Sequence, residues 1–254
     1  MVIAGFHPVR EALESRPKSV EALFLQKGRR DSRMADLELL AHQHGVPVRV
    51  IPREELDRLA PRAHNGVAAR IAVREYDELE TCLAGEKGSR LALFLDEITD
   101  PGNLGAILRS AAALGAAVVV PERHAAPLSD VVFKASAGAV ERVRIGRCGN
   151  AARFLEDAKE AGFWVFGADA SGEPVSGVDL TGDVLLCLGS EGEGLRRLTR
   201  EGCDRLVSIP MAGGAGSLNV SVAAGIFLYE IRRQKGGDAR CRHENGLTPR
   251  PWLP

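Results

Sequence analysis

Cysteine, aromatic residues and long apolar runs are all scarce in this 254-residue chain. The five cysteines, Cys82, Cys148, Cys187, Cys203 and Cys241, are odd in number and form no Cys-x-x-Cys pair, which excludes a disulfide framework or a zinc ribbon as the expectation. Widely spaced thiols fit a reducing compartment. The histidines are scattered. Only His42 and His44 are near neighbours, and side chains at i and i+2 on a helix point apart, so no metal site is expected. No apolar run approaches the ~20 residues of a membrane span. The opening residues Met1 to Pro8 lack the charged and apolar regions of a secretion signal, and a cytoplasmic location is expected.

What is present is ordinary for a globular protein. Apolar residues make up 45% and charged residues 26%, which excludes disorder, collagen and coiled coil as overall classes. A chain of this length buries enough surface to need no covalent staple. The net charge of −1 hides an asymmetry: residues 1–72 carry +3 and the remainder −4. A mildly basic front half favours a polyanion only weakly.

The front segment reads as small alternating units. A helix is predicted over 8–15, with Pro8 in its first turn and Val9, Ala12 and Leu13 on one face. A strand follows at Ala22–Gln26, a helix at Met34–His44 ending before Gly45, and a strand at Val46–Ile51. Arg53–Ala60 reads as helix and Gly66–Ala72 as strand. Residues 73–90, with the polar Gly85-Glu-Lys-Gly88, read as a connection. From Leu91 the alternation becomes regular. Strands are expected at Leu91–Leu95, Ala116–Val120, Val140–Ile145, Phe163–Phe166, Val184–Leu188 and Leu206–Ile209. Helices are expected from near Leu104, Ser129, Asn150 and Leu195, with a last one from Leu218 to about Gln234. Continuous apolar strands alternating with helices predict a parallel sheet covered on both faces, and such sheets bind ligands beyond the carboxyl ends of their strands.

Three strand-end loops stand out. The first, Asp96-Glu-Ile-Thr-Asp-Pro-Gly-Asn103, runs into a helix with Asn103 placed as its cap and Arg109 six residues on, roughly 9 Å further along the axis. The second, Leu188-Gly-Ser-Glu-Gly-Glu-Gly194, matches neither the dinucleotide pattern nor the P-loop, and its two carboxylates discourage bare phosphate. The third, Ile209-Pro-Met-Ala-Gly-Gly-Ala-Gly-Ser-Leu-Asn-Val220, offers Ser217 and Asn219 as caps. It contains no Gly-x-Ser-x-Gly elbow of the hydrolases.

Together these loops resemble the SpoU (TrmH-type) RNA ribose 2′-O-methyltransferases of the SPOUT class. The resemblance rests on Asp100, Pro101, Asn103, Gly105, Arg109 and Ser110, on Gly189, Glu191 and Gly194, and on Ile209-Pro-Met with Ser217-Leu-Asn-Val. The opening Gly5-Phe-His-Pro-Val-Arg-Glu-Ala-Leu13 is similar to the ribosomal-protein-like RNA-binding domain of the RlmB branch. The resemblance implies an α/β fold: a small α/β RNA-binding domain over 1–72, a linker over 73–90 and a catalytic SPOUT domain over 91–235. It also implies a deep trefoil knot, a homodimer and bent S-adenosylmethionine as methyl donor; nothing in the periodicity points to the knot.

Positions carried over from the family place the cofactor against Gly189, Ile209 and Leu218, with Leu188 and Met211 close by. The same resemblance implies that Arg109 carries the catalytic work. A guanidinium is a permanent cation, so electrostatic stabilisation of the developing alkoxide is favoured, with literal proton abstraction left open. Asn103, Glu191, Ser217 and Asn219 are expected to orient Arg109, the ribose and the cofactor loops. The implied substrate is a guanosine of large-subunit ribosomal RNA. Transfer RNA, a non-catalytic RNA-binding or assembly protein, and a small-molecule enzyme are the alternatives. Two features depart from the family: His64-Asn65-Gly66 replaces its usual His-Gln-Gly, and the 236–254 extension is basic (Arg240, Arg242, His243, Arg250). That tail is expected to be a loose end or an extra RNA contact.

Overall fold

The computed structural model describes residues 1–29, 32–61, 64–72, 74–212 and 217–236; the basic tail beyond Gly236 and the glycines at 213, 214 and 216 lie outside them. The front module contains β1 (Val2–Ala4), α1 (Phe6–Ser15), β2 (Val20–Gln26), α2 (Ser32–Gln43), β3 (Val48–Ile51), α3 (Arg53–Leu59) and β4 (Val67–Ile71). Its sheet has the order β1-β4-β2-β3, with β2 and β3 parallel and β4 antiparallel to both its neighbours. Helix α1 buries Val9, Ala12 and Leu13, the face the spacing predicts. Strand β1 was not expected. Three residues carry no readable alternation, and only pairing places them, Val2 opposite Arg70 and Ala4 opposite Ala68.

The larger module follows with α4 (Leu79–Leu83), β5 (Leu91–Leu95), α5 (Pro101–Leu114), β6 (Ala117–Pro121), α6 (Asp130–Ala135), β7 (Ile145–Cys148), α7 (Ala151–Glu160), β8 (Trp164–Pro174), β9 (Val184–Leu188), α8 (Arg197–Glu201), β10 (Arg205–Ser208) and α9 (Val220–Gln234). Its six strands are all parallel in the order β10-β8-β9-β5-β6-β7. Leu91, Leu93 and Leu95 face one core while Ala92 and Phe94 face another. Alternation along one strand thus reads both faces as buried.

Two elements correct the sequence reading. The strand expected at Val140–Ile145 begins only at Ile145. Val140 instead lies in a helical turn over Ala139–Glu141, set by Gly138 at φ 85, because a short apolar run does not distinguish strand from buried turn. Strand β8 is longer than expected. Its far end, Glu173 and Pro174, pairs with Val207 and Ser208 of β10 after a register shift that skips residues 168–172.

The two modules meet along α1. Glu11 pairs with Arg142 at 2.8 Å and Arg16 with Glu141 at 3.5 Å. The segment between the sheets is anchored at several points. Arg74 donates to the Val143 carbonyl at 2.6 Å and to Asp77 at 2.9 Å, and Asp77 accepts the Ile145 N–H at 2.7 Å. Cys82, Cys148 and Cys187 are buried free thiols and Cys203 is half-buried. Burial pushes Cys82 and Cys148 up to about 11, which keeps them protonated and unreactive at neutral pH. Among the described residues, no helix is long and apolar enough to cross a membrane.

Candidate active site

Helix α5 grows out of the carboxyl end of β5. Its N-cap is Asp100, not Asn103: the Asp100 carboxylate accepts the Asn103 N–H at 2.7 Å and Pro101 fills the first turn. This frees the Asn103 side chain, which reaches a second loop and donates from Nδ2 to Glu191 Oε1 at 3.0 Å. A third segment closes the figure. Asn219 Nδ2 donates to Asn103 Oδ1 at 2.9 Å and to Glu191 Oε1 at 2.5 Å.

Asn219 is also the N-cap of α9, its Oδ1 accepting the Ser221 N–H at 3.0 Å. Ser217, the other expected cap, lies exposed two residues before it. Glu191 Oε1 therefore sits at the positive end of a 15-residue helix, where an anion is stabilised, and the Val220 N–H approaches it at 3.4 Å. Residues 88 and 116 positions apart in sequence thus share one hydrogen-bonded triangle.

Among the described residues, none of the other expected residues hydrogen-bonds to this triangle. Arg109 is exposed on α5 and has no hydrogen bond or ion pair among the described residues. Leu188 is buried at the end of β9, and its carbonyl accepts the Asp96 N–H at 2.8 Å. At Gly189 the chain doubles back: Ser190 and Gly194 exchange backbone hydrogen bonds of 3.1 and 3.0 Å. A Cβ on Gly189 would stand 2.0 Å from the Gly194 carbonyl carbon, so no side chain fits. Ile209 and Leu218 are half-buried and Met211 is exposed. Gly105 serves packing, since its Cβ would fall 2.4 Å from Ala135 Cβ on α6.

Both modules have counterparts in known proteins. Residues 90–229 match the SpoU rRNA Methylase family, and residues 2–77 match the family described as RNA 2′-O ribose methyltransferase substrate binding. The chain belongs to the SpoU rRNA methylase family. Its relatives include the 23S rRNA (guanosine-2′-O-)-methyltransferase RlmB of Haemophilus influenzae, 44% identical over 92% of this chain and 98% of that protein. RlmB of Pseudomonas putida is 43% identical over 92% of this chain and 96% of its own. Among solved structures, the SpoU methyltransferase AviRb from Streptomyces viridochromogenes, in complex with AdoMet, has a TM-score of 0.77 at 31% identity and covers 93% of this chain and 91% of its own. The TrmH/SpoU tRNA modifying enzyme of A. aeolicus, 30% identical with a TM-score of 0.53, covers 63% of this chain and 81% of its own.

Within this SpoU family member, a groove of about 320 Å³ lies between the front sheet and α6, lined by Val2, Ala4, Leu59, Ala60, Pro61, Asp130 and Lys134. None of its lining belongs to the three loops. Asp96, Glu97 and Arg196 were passed over in the sequence reading, although Asp96 accepts both the backbone N–H and Nε of Arg196, at 3.0 and 2.7 Å. The available signal was a carboxylate directly after a continuous apolar strand, where burial demands a partner.

Proposed function

We propose that this chain transfers a methyl group from S-adenosylmethionine to a guanosine ribose 2′-hydroxyl of 23S ribosomal RNA. The observation that supports it is the Asn103–Glu191–Asn219 triangle, which draws together the three loops at the carboxyl edge of the sheet. The curated RlmB relatives span both modules, whereas the tRNA-modifying structure covers 63% of the chain; this favours ribosomal over transfer RNA. A binding-only protein has no need for such a preassembled polar cluster together with an unpaired arginine on the helix that carries Asn103.

The cofactor rim fits the donor. Gly189 presents bare backbone, and Ile209, Leu218 and Met211 keep apolar surface accessible, suited to an adenosyl ring and a thioether chain. When bound, the donor supplies an electrophilic methyl. Arg109 places a permanent cation beside the ribose oxygen and favours its alkoxide character as the proton leaves. Asn103, Glu191 and Asn219 fix α5, which carries Arg109, relative to the two loops that carry the cofactor rim, and Ser217 orients the last loop. Positioning of this kind supplies roughly 7–11 kcal/mol of a barrier.

The front module holds the RNA, with the catalytic unit over 91–235. The knot of the family accords with Asn219, which follows the edge strand β10 in sequence, bonding to Asn103 after β5 and Glu191 after β9. A homodimer accords with Val222, Ile226 and Tyr229, which lie on one face of α9 and are 50%, 38% and 63% exposed, an apolar stripe that is left uncovered among the described residues. The protein works in the cytoplasm, where ribosomes are assembled. The deciding experiment maps 2′-O-methyl groups in ribosomal and transfer RNA from cells with and without the gene, alongside calorimetry with S-adenosylmethionine. One missing 23S guanosine mark is expected. A missing tRNA mark redirects the substrate, and unchanged maps with no donor binding reject the enzyme.

A further inference from the structure

The turn that carries Glu191 is fastened at both ends to one residue. On the near side, the Asp96 N–H donates to the Leu188 carbonyl at 2.8 Å. On the far side, Asp96 Oδ2 accepts the Arg196 backbone N–H at 3.0 Å and Oδ1 accepts its Nε at 2.7 Å. Between these ends, the Ser190–Gly194 hydrogen bonds close the turn with Glu191 inside it. The Asp96 side chain is wholly buried, while that of Arg196 is 43% exposed. The Arg196 guanidinium also reaches Glu97 at 3.2 Å. Glu97 holds φ 63, a left-handed conformation that disfavours a Cβ; such backbone persists only where its surroundings over-determine it.

Resting on the methyltransferase reading, we propose that Asp96 and Arg196, steadied by Glu97, are positioning residues that set the Glu191 carboxylate in the Asn103–Asn219 triangle. They act through Glu191 and touch no reacting atom. A buried carboxylate resists displacement because its charge is satisfied only in this one arrangement. The same β5 end thus launches the Asn103 loop and holds the Glu191 turn, so both are registered to a single strand.

The test is a double-mutant cycle in the full chain, pairing Arg196→Lys with Glu191→Gln. It reads single-turnover methyl transfer to 23S transcript, donor affinity, melting temperature, and hydrogen exchange at the Ser190 and Gly194 amides. Arg196→Lys keeps the charge but loses the fork. It is expected to slow transfer about 10- to 100-fold while the melting temperature holds, and to speed exchange at both amides. In the Glu191→Gln background the same substitution adds little, because residues acting as one unit are non-additive. Glu97→Gln gives a smaller change in the same direction. Equal losses in both backgrounds, or unchanged amide exchange, overturn the clamp. If the wild-type chain methylates no RNA, the methyltransferase reading falls first. The exchange arm then still decides whether Arg196 holds the turn.

Discussion

The parallel sheet is held at its two ends by the same chemical device used in opposite ways. At the amino end, Asp183 accepts the Gly88 and Arg90 N–H groups, each at 2.8 Å, and the Arg90 guanidinium at 2.7 Å. That guanidinium is itself buried, donates to the Leu83 and Ala161 carbonyls, and lies 4.4 Å over the Phe163 ring. Lys235, at the end of α9, adds donors to the Arg90 and Gly182 carbonyls. At the carboxyl end, Asp96 is buried more completely than Asp183, but its arginine is half in solvent and its neighbour Glu97 is held left-handed. One pair is a rivet inside the scaffold. The other holds the glycine-rich turn that carries Glu191. In this sheet the enclosed ion pair lies at the amino end and the strained chain at the carboxyl end, the end where open parallel sheets bind ligands.

Four substitutions break or sharpen this contrast. At the carboxyl end, Arg109→Ala is expected to cut turnover by about 10²–10³-fold, with S-adenosylmethionine affinity retained in calorimetry; lost affinity would move Arg109 into the cofactor pocket. Gly105→Ala, at the α5–α6 crossing, forces a Cβ to within 3.0 Å of the Ser136 nitrogen and the Val132 oxygen. It is expected to cost about 3 kcal/mol in denaturant unfolding.

At the amino end, burial opposes the Asp183 charge, but the hydrogen bonds from the Arg90 side chain and from the Gly88 and Arg90 backbones win, and hold it at about 2. The depressed value contributes stability above the ordinary carboxylate range that is lost as pH falls through about 2. Asp183→Asn should therefore lose about 2 kcal/mol at pH 7, with the gap to wild type closing between about pH 4 and pH 2 and turnover per folded molecule unchanged. A drop in turnover would show that the two ends are coupled.

The smallest effect belongs to the front module. Asn65 has φ 51, the Gly66 N–H donates to His64 Nδ1 at 3.0 Å, and His64 Nε2 meets Asp57 at 2.8 Å. Asparagine tolerates the left-handed region better than a longer amide. Restoring the family's glutamine by Asn65→Gln is expected to cost less than about 1 kcal/mol and to leave RNA affinity unchanged in filter binding.

Much of the fold is local enough to read. Val9, Ala12 and Leu13 of α1, the start of α7 near Asn150 and the continuous run of β5 follow from spacing and composition. The misreadings share one cause. Strand β1 is too short to show a period, Val140 sits in a turn as apolar as a strand, and β8 is extended by a partner that follows it in sequence. For the site, the residue types were visible in the three loops, but Asn103 was read as a cap because a cap is the local option. Its real partners are 88 and 116 residues away.

The amino-acid order alone determined which segments alternate, which faces are apolar and which three loops carry polar chemistry, because these depend on periodicities of two and 3.6 residues and on backbone preferences that act over a few positions. Only the tertiary structure decided that Glu191 meets Asn103 and Asn219, and that Asp96 secures both ends of the Glu191 turn. Those contacts form when strands distant in sequence become neighbours in one sheet, and a buried carboxylate then takes whichever donors the packing delivers.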